Sequence, residues 1–388
     1  MIKRILKKQI IKYFKQYPVV VLTGPRQSGK TTLVKKTFPK LTYVNLEDIE
    51  IRNFAQNDPK GFLKQYGDKL IIDEVQRAPE LFSYIQVLVD EKRRNGLYLL
   101  TGSQNFLLME KISQSLAGRA AILKLLPLSL EELKLSKKNI EKEKIESILF
   151  KGFYPKLYNE KTDTDQYYSN YIQTYVERDV RTMRNIANLG KFKRFISLLA
   201  ARTGQILNVS SLINDGGINY KTAMAWLSVL EASYVIFLLE PYYKNYNKRI
   251  IKSPKIYFYD TGLVCSLLDI STADQLNTHY LKGEIFETFV ISEIIKRYYN
   301  DAQKKNIFFW RDKTGHEIDL IIEQANKTFL IEIKSGQTVR QDFFKNINYY
   351  NNLSKSNPKN SYIIYGGDQK QLGGKGNVIS WRNLDILE

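Results

Sequence analysis

The residues whose types and spacing indicate the clearest chemistry lie between positions 24 and 32. They follow the pattern G-x-x-x-x-G-K-T and consist of Gly24, Pro25, Arg26, Gln27, Ser28, Gly29, Lys30 and Thr31, with Thr32 directly after them. In this pattern the glycines allow the backbone to turn its N–H groups inward onto phosphate. The Lys30 ammonium reaches the β- and γ-phosphates, and the Thr31 hydroxyl binds Mg²⁺. The pattern predicts a nucleoside triphosphate site; a fortuitous glycine-rich turn is the alternative.

Two acidic residues, Asp73 and Glu74, end the apolar run at residues 70–72. Ligands bind at the carboxyl ends of parallel strands, so we expect Asp73 beside the glycine-rich loop, where it can hold Mg²⁺. Glu74 is then placed to orient or deprotonate the attacking water. Two acids at a strand end can also be a solvated loop. After a phosphate loop they predict hydrolysis, with ATP and Mg²⁺ as the cofactors.

Two further polar positions are candidates for contact with the triphosphate. Ser103 or Gln104 follows the β-run at residues 97–101 and is placed to sense the γ-phosphate, with a plain turn as the alternative. Arg119 in the segment LAGR could reach a phosphate of its own chain, or of a neighbouring subunit as an arginine finger. A finger acting on a neighbour requires a homo-oligomer. A solvated surface arginine is the alternative.

A second group of candidate catalytic residues, Asp319, Glu332 and Lys334, lies on two β-runs that flank a turn. With a hairpin loop at residues 325–326, Asp319 lies opposite Glu332; with a loop at residues 326–327, it lies opposite Lys334. Because side chains alternate along a strand, Glu332 and Lys334 share a face in either register. We therefore expect all three residues to converge.

These side chains suit metal-assisted chemistry on phosphate esters. The Asp319 and Glu332 carboxylates can bind Mg²⁺, and Lys334 can position water or stabilise a phosphate. Glu287, on a helix expected upstream, could add a fourth group. Paired charges on an ordinary solvated sheet are the alternative.

The elements that position the first group alternate along the amino-terminal third of the chain. Apolar β-runs are expected at residues 19–22, 41–45, 70–72, 97–101 and 122–125. Helical patterns lie between them, for example at residues 80–94. This alternation predicts an α/β fold with a parallel sheet and helices on both faces, and we assign it residues 1–130.

The rest of the chain divides into three expected parts. Residues 131–206 form a helical lid or linker, whose charged start at residues 131–146 predicts an exposed segment. Residues 207–270 predict a winged helix, with Asn219 as the N-cap of its second helix. Residues 271–388 form a small α/β domain that carries the second candidate site.

The expected wing has a basic, tyrosine-rich tip. It contains Tyr242, Tyr243, Lys244, Tyr246, Lys248, Arg249 and Lys252. Such a tip suits the DNA backbone, although winged helices also serve as packing modules. The net charge of +19 likewise favours a nucleic-acid partner. A generally lysine-rich surface would give the same charge.

The amino-acid composition excludes several classes of protein. The 388 residues are 43% hydrophobic, which is ample for sizeable cores, and contain no apolar run near the roughly 20 residues that span a bilayer. A single cysteine, Cys265, excludes an internal disulfide, and two histidines make a histidine-rich zinc site improbable. The amino terminus lacks a signal-peptide pattern. We expect a cytoplasmic protein without a membrane partner.

Five segments together resemble one family: GPRQSGKTT, LIIDEVQ, LTGS, LAGR-x-x-x-L-x-L-x-P-L-S and YVERDV at residues 175–180. It is the family of prokaryotic AAA+-type ATPases with a carboxyl-terminal domain of unknown function. The resemblance covers nearly the whole chain. It implies an ATPase core, a winged helix and a carboxyl-terminal domain similar to the PD-(D/E)XK nuclease fold. Asp319, Glu332 and Lys334 match that nuclease signature, and Glu287 corresponds to its first acid.

Two classes of function follow. The first is an ATP-driven enzyme that interacts with DNA and can also cleave it. The second is an ATP-dependent switch that binds a protein partner, with a nuclease-like domain used only for docking. A metal-dependent cleavage assay with and without ATP separates them.

Overall fold

The computed structural model describes most of the chain. The described ranges are 2–103, 114–136, 140–176, 189–243, 251–304, 306–324, 327–355, 357–371 and 376–386. No helix within these ranges is both long and apolar enough to cross a membrane.

The amino-terminal part contains the expected parallel sheet. Its strands are β1 (Val19–Thr23), β2 (Thr42–Asn45), β3 (Leu70–Asp73), β4 (Tyr98–Gly102) and β5 (Ala120–Lys124). They lie in the order β2-β3-β4-β1-β5, and every pairing is parallel. The five β-runs predicted from the sequence are therefore confirmed, with ends that differ by at most two residues. The apolar runs form the central strands because both faces of β1, β3 and β4 are buried.

Helices cover both faces of this sheet. They are α1 (Lys7–Gln16), α2 (Lys30–Thr37), α3 (Ile49–Asn57), α4 (Pro59–Tyr66) and α5 (Leu81–Lys92). Alternate residues of β1 enter opposite cores: Val19 and Val21 pack on one side, and Val20 and Leu22 on the other. The parallel pairing brings the carboxyl ends of the strands to one edge. The glycine-rich loop, Asp73 and Ser103 therefore lie along the same edge.

The charged segment at residues 131–146 is only in part the exposed helix or linker that its composition predicts. It contains α6 (Leu130–Leu135) and leads into α7 (Ile145–Lys151). Glu132 and Leu133 are completely buried, and Glu146 is also buried. The prediction was wrong for Glu132 and Glu146 because apolar residues beside them pack inward and these acids find cationic partners, as Glu146 does with Lys282 at 2.7 Å.

The middle part contains the predicted pair of helices and pair of strands. Its elements are α8 (Lys156–Asn159), α9 (Thr164–Tyr171), α10 (Leu189–Ala200), α11 (Val209–Gly216), α12 (Tyr220–Ala232), β6 (Ile236–Leu239) and β7 (Lys255–Phe258). The Asn219 side chain accepts the Thr222 N–H at 2.8 Å, as expected of the N-cap of α12. β6 and β7 pair antiparallel. Lys244, Tyr246, Lys248 and Arg249 of the basic tip lie outside the described residues.

The carboxyl-terminal part is a mixed sheet with helices. Its elements are α13 (Thr261–Leu267), α14 (Lys282–Asn300), β8 (Ile307–Arg311), β9 (Glu317–Gln324), β10 (Lys327–Lys334), α15 (Lys345–Ser354), β11 (Ser361–Tyr365) and β12 (Asn377–Ser380). The sheet order is β12-β11-β10-β9-β8. Lys327 pairs with Gln324 and Ile331 with Leu320. This register confirms the first of the two alternatives and sets Asp319 across from Glu332.

One apolar core runs through the middle and carboxyl-terminal parts. It contains Ile2 and residues between Leu126 and Trp381, and includes both faces of the hairpin formed by β6 and β7. Phe289 on α14 stacks on Phe153 at 5.7 Å and contacts Trp381 edge-on at 6.0 Å. The core therefore does not break at residues 206 or 270, where we expected domain boundaries.

Candidate functional site

The glycine-rich loop joins β1 to α2 and requires glycine at two positions. Gly24 has a φ of +149°, and a Cβ there would lie 2.1 Å from the Leu125 carbonyl oxygen. Gly29 has a φ of +93° and is the N-cap of α2. A side chain at either position would be strained. The loop thus owes its shape to the glycines that the pattern singled out.

Lys30 is buried within this loop. Its Nζ donates to the carbonyl oxygens of Gly24 at 2.9 Å and Pro25 at 2.8 Å. The ammonium is therefore held against the loop backbone, where phosphate oxygens can replace these acceptors. The Ser28 hydroxyl is buried and has no hydrogen-bond partner among the described residues. Thr32 is exposed on the first turn of α2.

Asp73 is buried at the end of β3 and accepts three side-chain hydroxyls. Thr31 donates to its Oδ2 at 2.6 Å, Tyr43 donates to the same oxygen at 2.7 Å, and Thr101 donates to Oδ1. Burial, together with the Asp73 carboxylate, raises the pKa of Tyr43, so this phenol remains a donor. The structure thus brings Thr31 and Asp73 into contact. A hydroxyl and a carboxylate oxygen at this position fit Mg²⁺, which prefers such ligands.

Glu74 follows Asp73 in a left-handed backbone conformation, with a φ of +56°. Its Oε2 accepts the Gln76 amide N–H at 2.5 Å and the Ser103 hydroxyl at 3.3 Å. The Oε1 atom of Gln76 is buried without a partner among the described residues. Ser103 therefore contacts the candidate base, and its role as a γ-phosphate sensor stays a prediction. Gln104 lies outside the described residues.

Two residues that the sequence pattern did not single out hold the loop from outside. Arg4 donates to the carbonyl oxygens of Ser28 at 2.7 Å and Leu126 at 2.6 Å, and pairs with Glu132 at 3.0 Å. The Tyr167 hydroxyl donates to Gln27 Oε1 at 2.8 Å. Neither contact has a local sequence signal, because the partners lie 24 to 140 residues apart.

Arg119 lies at the edge of the sheet formed by the amino ends of the strands, opposite the edge that carries the glycine-rich loop. Its carbonyl oxygen accepts the Val19 N–H, at the amino end of β1, whereas the glycine-rich loop follows the carboxyl end. Five residues at about 3.3 Å each separate the two ends by roughly 16 Å, which is beyond the reach of an arginine side chain. The expected contact with a phosphate of its own chain was therefore wrong. Action on a neighbouring subunit stays a prediction.

The Arg119 guanidinium makes a two-pronged ion pair with Asp90. Its Nε lies 2.6 Å from Oδ1 and its Nη2 lies 2.8 Å from Oδ2. This hydrogen bonding lowers the pKa of Asp90. Both side chains are partly exposed, so the pair sits at the protein surface.

The carboxyl-terminal candidates converge as expected. Lys334 Nζ lies 2.8 Å from Glu332 Oε2 and 3.7 Å from Asp319 Oδ2. Asp319 Oδ2 also accepts the Ile333 N–H at 2.7 Å. Burial and then the Asp319 charge raise the pKa of Glu332 well above its usual range. Burial lowers the pKa of Lys334, but the Asp319 and Glu332 charges outweigh this effect, and the pKa is raised.

Glu287 also belongs to this cluster, and it brings partners that no motif indicated. Its Oε1 lies 3.0 Å from Lys255 Nζ and accepts the Tyr257 hydroxyl, both on β7. Lys255 pairs with Glu317 as well. Burial raises the pKa of Glu287 to about 7; the Lys255 charge opposes this shift and the Asp319 charge adds to it.

The arrangement of the carboxyl-terminal carboxylates does not fit a divalent metal. Within the described ranges no three His, Cys, Asp or Glu side chains are grouped so that they could hold a metal ion. Glu287 Oε1, Glu332 Oε2 and Asp319 Oδ2 instead contact ammonium, phenol and backbone donors, whereas Glu332 Oε1 is buried without a hydrogen-bond partner among the described residues.

Family models match three consecutive parts of the chain. An AAA domain matches residues 16–134, and two domains of unknown function, DUF8612 and DUF4143, match residues 142–274 and 282–384. The first match covers the sheet and the glycine-rich loop. Asp319, Glu332 and Lys334 fall in the third.

Similar proteins include uncharacterized proteins of Mycobacterium tuberculosis and Mycobacterium bovis, each 30% identical over 326 residues, which is 83% of this chain and 71% of theirs. An uncharacterized protein of Haemophilus influenzae is 21% identical over 357 residues, 84% of each chain. A Walker-type ATPase of Pyrococcus abyssi aligns with 14% identity and a TM-score of 0.43, covering 68% of this chain and 94% of that one. The chain therefore belongs to the same family as the mycobacterial proteins, and its amino-terminal part is an AAA domain of the P-loop ATPase class.

Proposed function

We propose that this protein hydrolyses ATP in a Mg²⁺-dependent reaction. The observation that carries the proposal is the contact between Thr31 and Asp73 beside the buried Lys30, with Glu74 at the same sheet edge. Lys30 and Thr31 come from α2, and Asp73 and Glu74 come from the end of β3 and the position after it, so two elements distant in sequence supply one site. A plain glycine-rich turn would not bring them together.

Each residue has a distinct role in this proposal. Thr31 and Asp73 would hold the Mg²⁺, which supplies positive charge to the triphosphate. Lys30 exchanges its loop carbonyls for phosphate oxygens. Glu74 orients the attacking water and accepts its proton, and Gln76 and Ser103 fix the Glu74 carboxylate.

Substitution of Lys30 and Glu74 tests the proposal. Lys30→Ala should weaken nucleotide binding, because it removes a fixed charge from the β- and γ-phosphates. Glu74→Gln should keep nucleotide affinity and slow turnover. Lys36→Ala, an exposed change on the same helix, is the matched control and should leave both unchanged. Equal turnover of wild type and Glu74→Gln would refute the assignment.

We further propose that residues 207–270 form a winged helix that contacts DNA. One face of α12 is buried through Ala223, Trp226 and Leu230, while Tyr220 and Lys221 on the other face are exposed. An exposed face with a cation and an aromatic ring suits a nucleic-acid groove, and the net charge of +19 supports the same partner.

Salt dependence tests DNA contact. Removal of one cation that pairs with a DNA phosphate should flatten the slope of log affinity against log salt by roughly 0.9. We expect a flattening of about 0.9 for Lys221→Ala, and of up to about 2.7 for a triple change of Lys244, Lys248 and Arg249 in the basic tip. An unchanged slope in both variants would contradict the proposal.

The carboxyl-terminal part leaves two roles to be separated. One is a nuclease-like domain that cleaves DNA after the lysine contacts at the carboxylates have given way to a metal ion at Asp319 and Glu332; the other is a docking module in an ATP-dependent switch. Cleavage of DNA by the full chain with Mn²⁺ or Mg²⁺, and its loss in Asp319→Ala with ATP hydrolysis retained, would establish the first. The convergence of Asp319, Glu332 and Lys334 supports a shared site in either case.

A further inference from the structure

Lys255 is the least expected member of the carboxyl-terminal cluster. It starts β7, in the middle part of the chain, yet its ammonium lies between Glu287 on α14 and Glu317 on β9. Its side chain is only 3% exposed. A buried ammonium is costly unless carboxylates compensate it closely. These contacts are therefore a fixed part of the cluster.

Side-chain cations nearly balance the cluster's charge. Among the described residues, four carboxylates and three cations take part: Glu287, Glu317, Asp319, Glu332, Lys255, Lys334 and Arg311. With all four acids ionised, one net negative charge is left. Buried carboxylates that repel one another need counter-charge, and here the chain's own side chains provide it.

The donors that surround the carboxylates leave a metal little access. A Mg²⁺ ion needs oxygen ligands that converge at about 2.0–2.1 Å. Glu287 Oε1 is already shared by Lys255 and Tyr257, and Lys334 bridges Glu332 and Asp319. For a metal to bind at Glu287, the Lys255 ammonium would have to be displaced.

We propose that the Lys255 ammonium takes the place of a divalent cation at the carboxyl-terminal carboxylates. This inference rests on the nuclease-like part of the proposed function and specifies how that site is controlled. The cluster is neutral enough to remain buried without metal, and a metal enters only when Lys255 leaves. Because Lys255 belongs to β7, a residue outside the carboxyl-terminal sheet decides whether the site can hold a cation.

Calorimetric titration of the full-length protein with Mn²⁺, in the absence of nucleotide, tests this proposal. Wild type should show no Mn²⁺ binding that depends on Asp319. Lys255→Met removes the ammonium and keeps an unbranched side chain, so it should gain a Mn²⁺ site at least about tenfold tighter than any wild-type binding. That site should disappear in Lys255→Met/Asp319→Asn. Lys255→Arg keeps the charge and should behave as wild type.

Thermal unfolding gives a second readout on the same variants. Loss of the ammonium leaves Glu287 unpaired and should lower the melting temperature of Lys255→Met; Mn²⁺ should restore it in this variant and not in wild type. If Lys255→Met does not fold, Lys255→Met/Glu317→Gln removes one carboxylate with the ammonium and is expected to gain the same Mn²⁺ site.

Two results would overturn the proposal. One is wild-type Mn²⁺ binding that is lost in Asp319→Asn; the other is a folded variant without the ammonium that binds no more Mn²⁺ than wild type. ATP hydrolysis measured on the same preparations should not change. A failure of the lysine proposal is therefore distinguishable from a failure of the ATPase proposal.

Discussion

Arg4 connects the amino terminus to the glycine-rich loop, and its removal should destabilise the protein strongly. Its side chain is 4% exposed and that of its partner Glu132 is 0% exposed. Arg4→Met keeps much of the packing volume and deletes the charge. Glu132 then remains buried without its cation, a situation that typically costs about 3–5 kcal/mol. The Ser28 and Leu126 carbonyl groups also lose their donors.

Urea unfolding followed by far-UV circular dichroism measures this loss. Neutralising the stranded acid in Arg4→Met/Glu132→Gln should recover about 1–3 kcal/mol, because neighbouring sites are coupled. Arg94→Met is the matched control, since Arg94 is 64% exposed and its pair with Asp68 should contribute about 0–1 kcal/mol. A loss below about 1 kcal/mol in Arg4→Met, or no recovery in the double variant, would refute the reasoning.

Three other predictions concern the two sites and the subunit interface. Gln76→Met should lower kcat by about tenfold or more at unchanged nucleotide affinity, and should have little effect in a Glu74→Gln background. The control is Gln56→Met, which removes a hydrogen bond to the Arg77 carbonyl oxygen in the same turn. If Arg119 acts on a neighbouring subunit, mixing Arg119→Ala with Lys30→Ala should restore ATP turnover that neither variant shows alone. ATPase activity that rises linearly with protein concentration in a strictly monomeric preparation would contradict this role. The folded-state pKa of Glu287, about 7, lies above its ordinary 4.5, so the folded state binds the extra proton and stability falls as pH rises through this window. Glu287→Gln should flatten that part of the stability–pH curve, and an unchanged curve would be evidence against the shift.

The sequence predicted those features that depend on local pattern. The loop from Gly24 to Thr31 and the acids Asp73 and Glu74 could be assigned because glycines, a strand run and terminal acids occur within short windows. Strand periodicity put Glu332 and Lys334 on one face but left two registers open, and the structure selected the one that pairs Asp319 with Glu332.

Features that depend on distant partners were missed. Glu132 lies in a lysine-rich stretch, and its burial is explained by Arg4, 128 residues away. Lys255 contacts Glu287 and Glu317 on two other elements, and nothing in its neighbourhood indicates this. Arg119 was assigned from its motif without regard to the edge of the sheet at which β5 begins.

The apolar core that joins described residues between Leu126 and Trp381 limits how this protein can be dissected. A fragment beginning near residue 281 would carry α14 away from Phe153 and the β6–β7 hairpin, and would expose Phe289 to water. It would also lose Lys255, and with it part of the charge balance of the carboxylate cluster. Such a truncation should aggregate or unfold, so a negative result from it would report on folding rather than on function. Point substitutions in the intact chain keep those two properties separate.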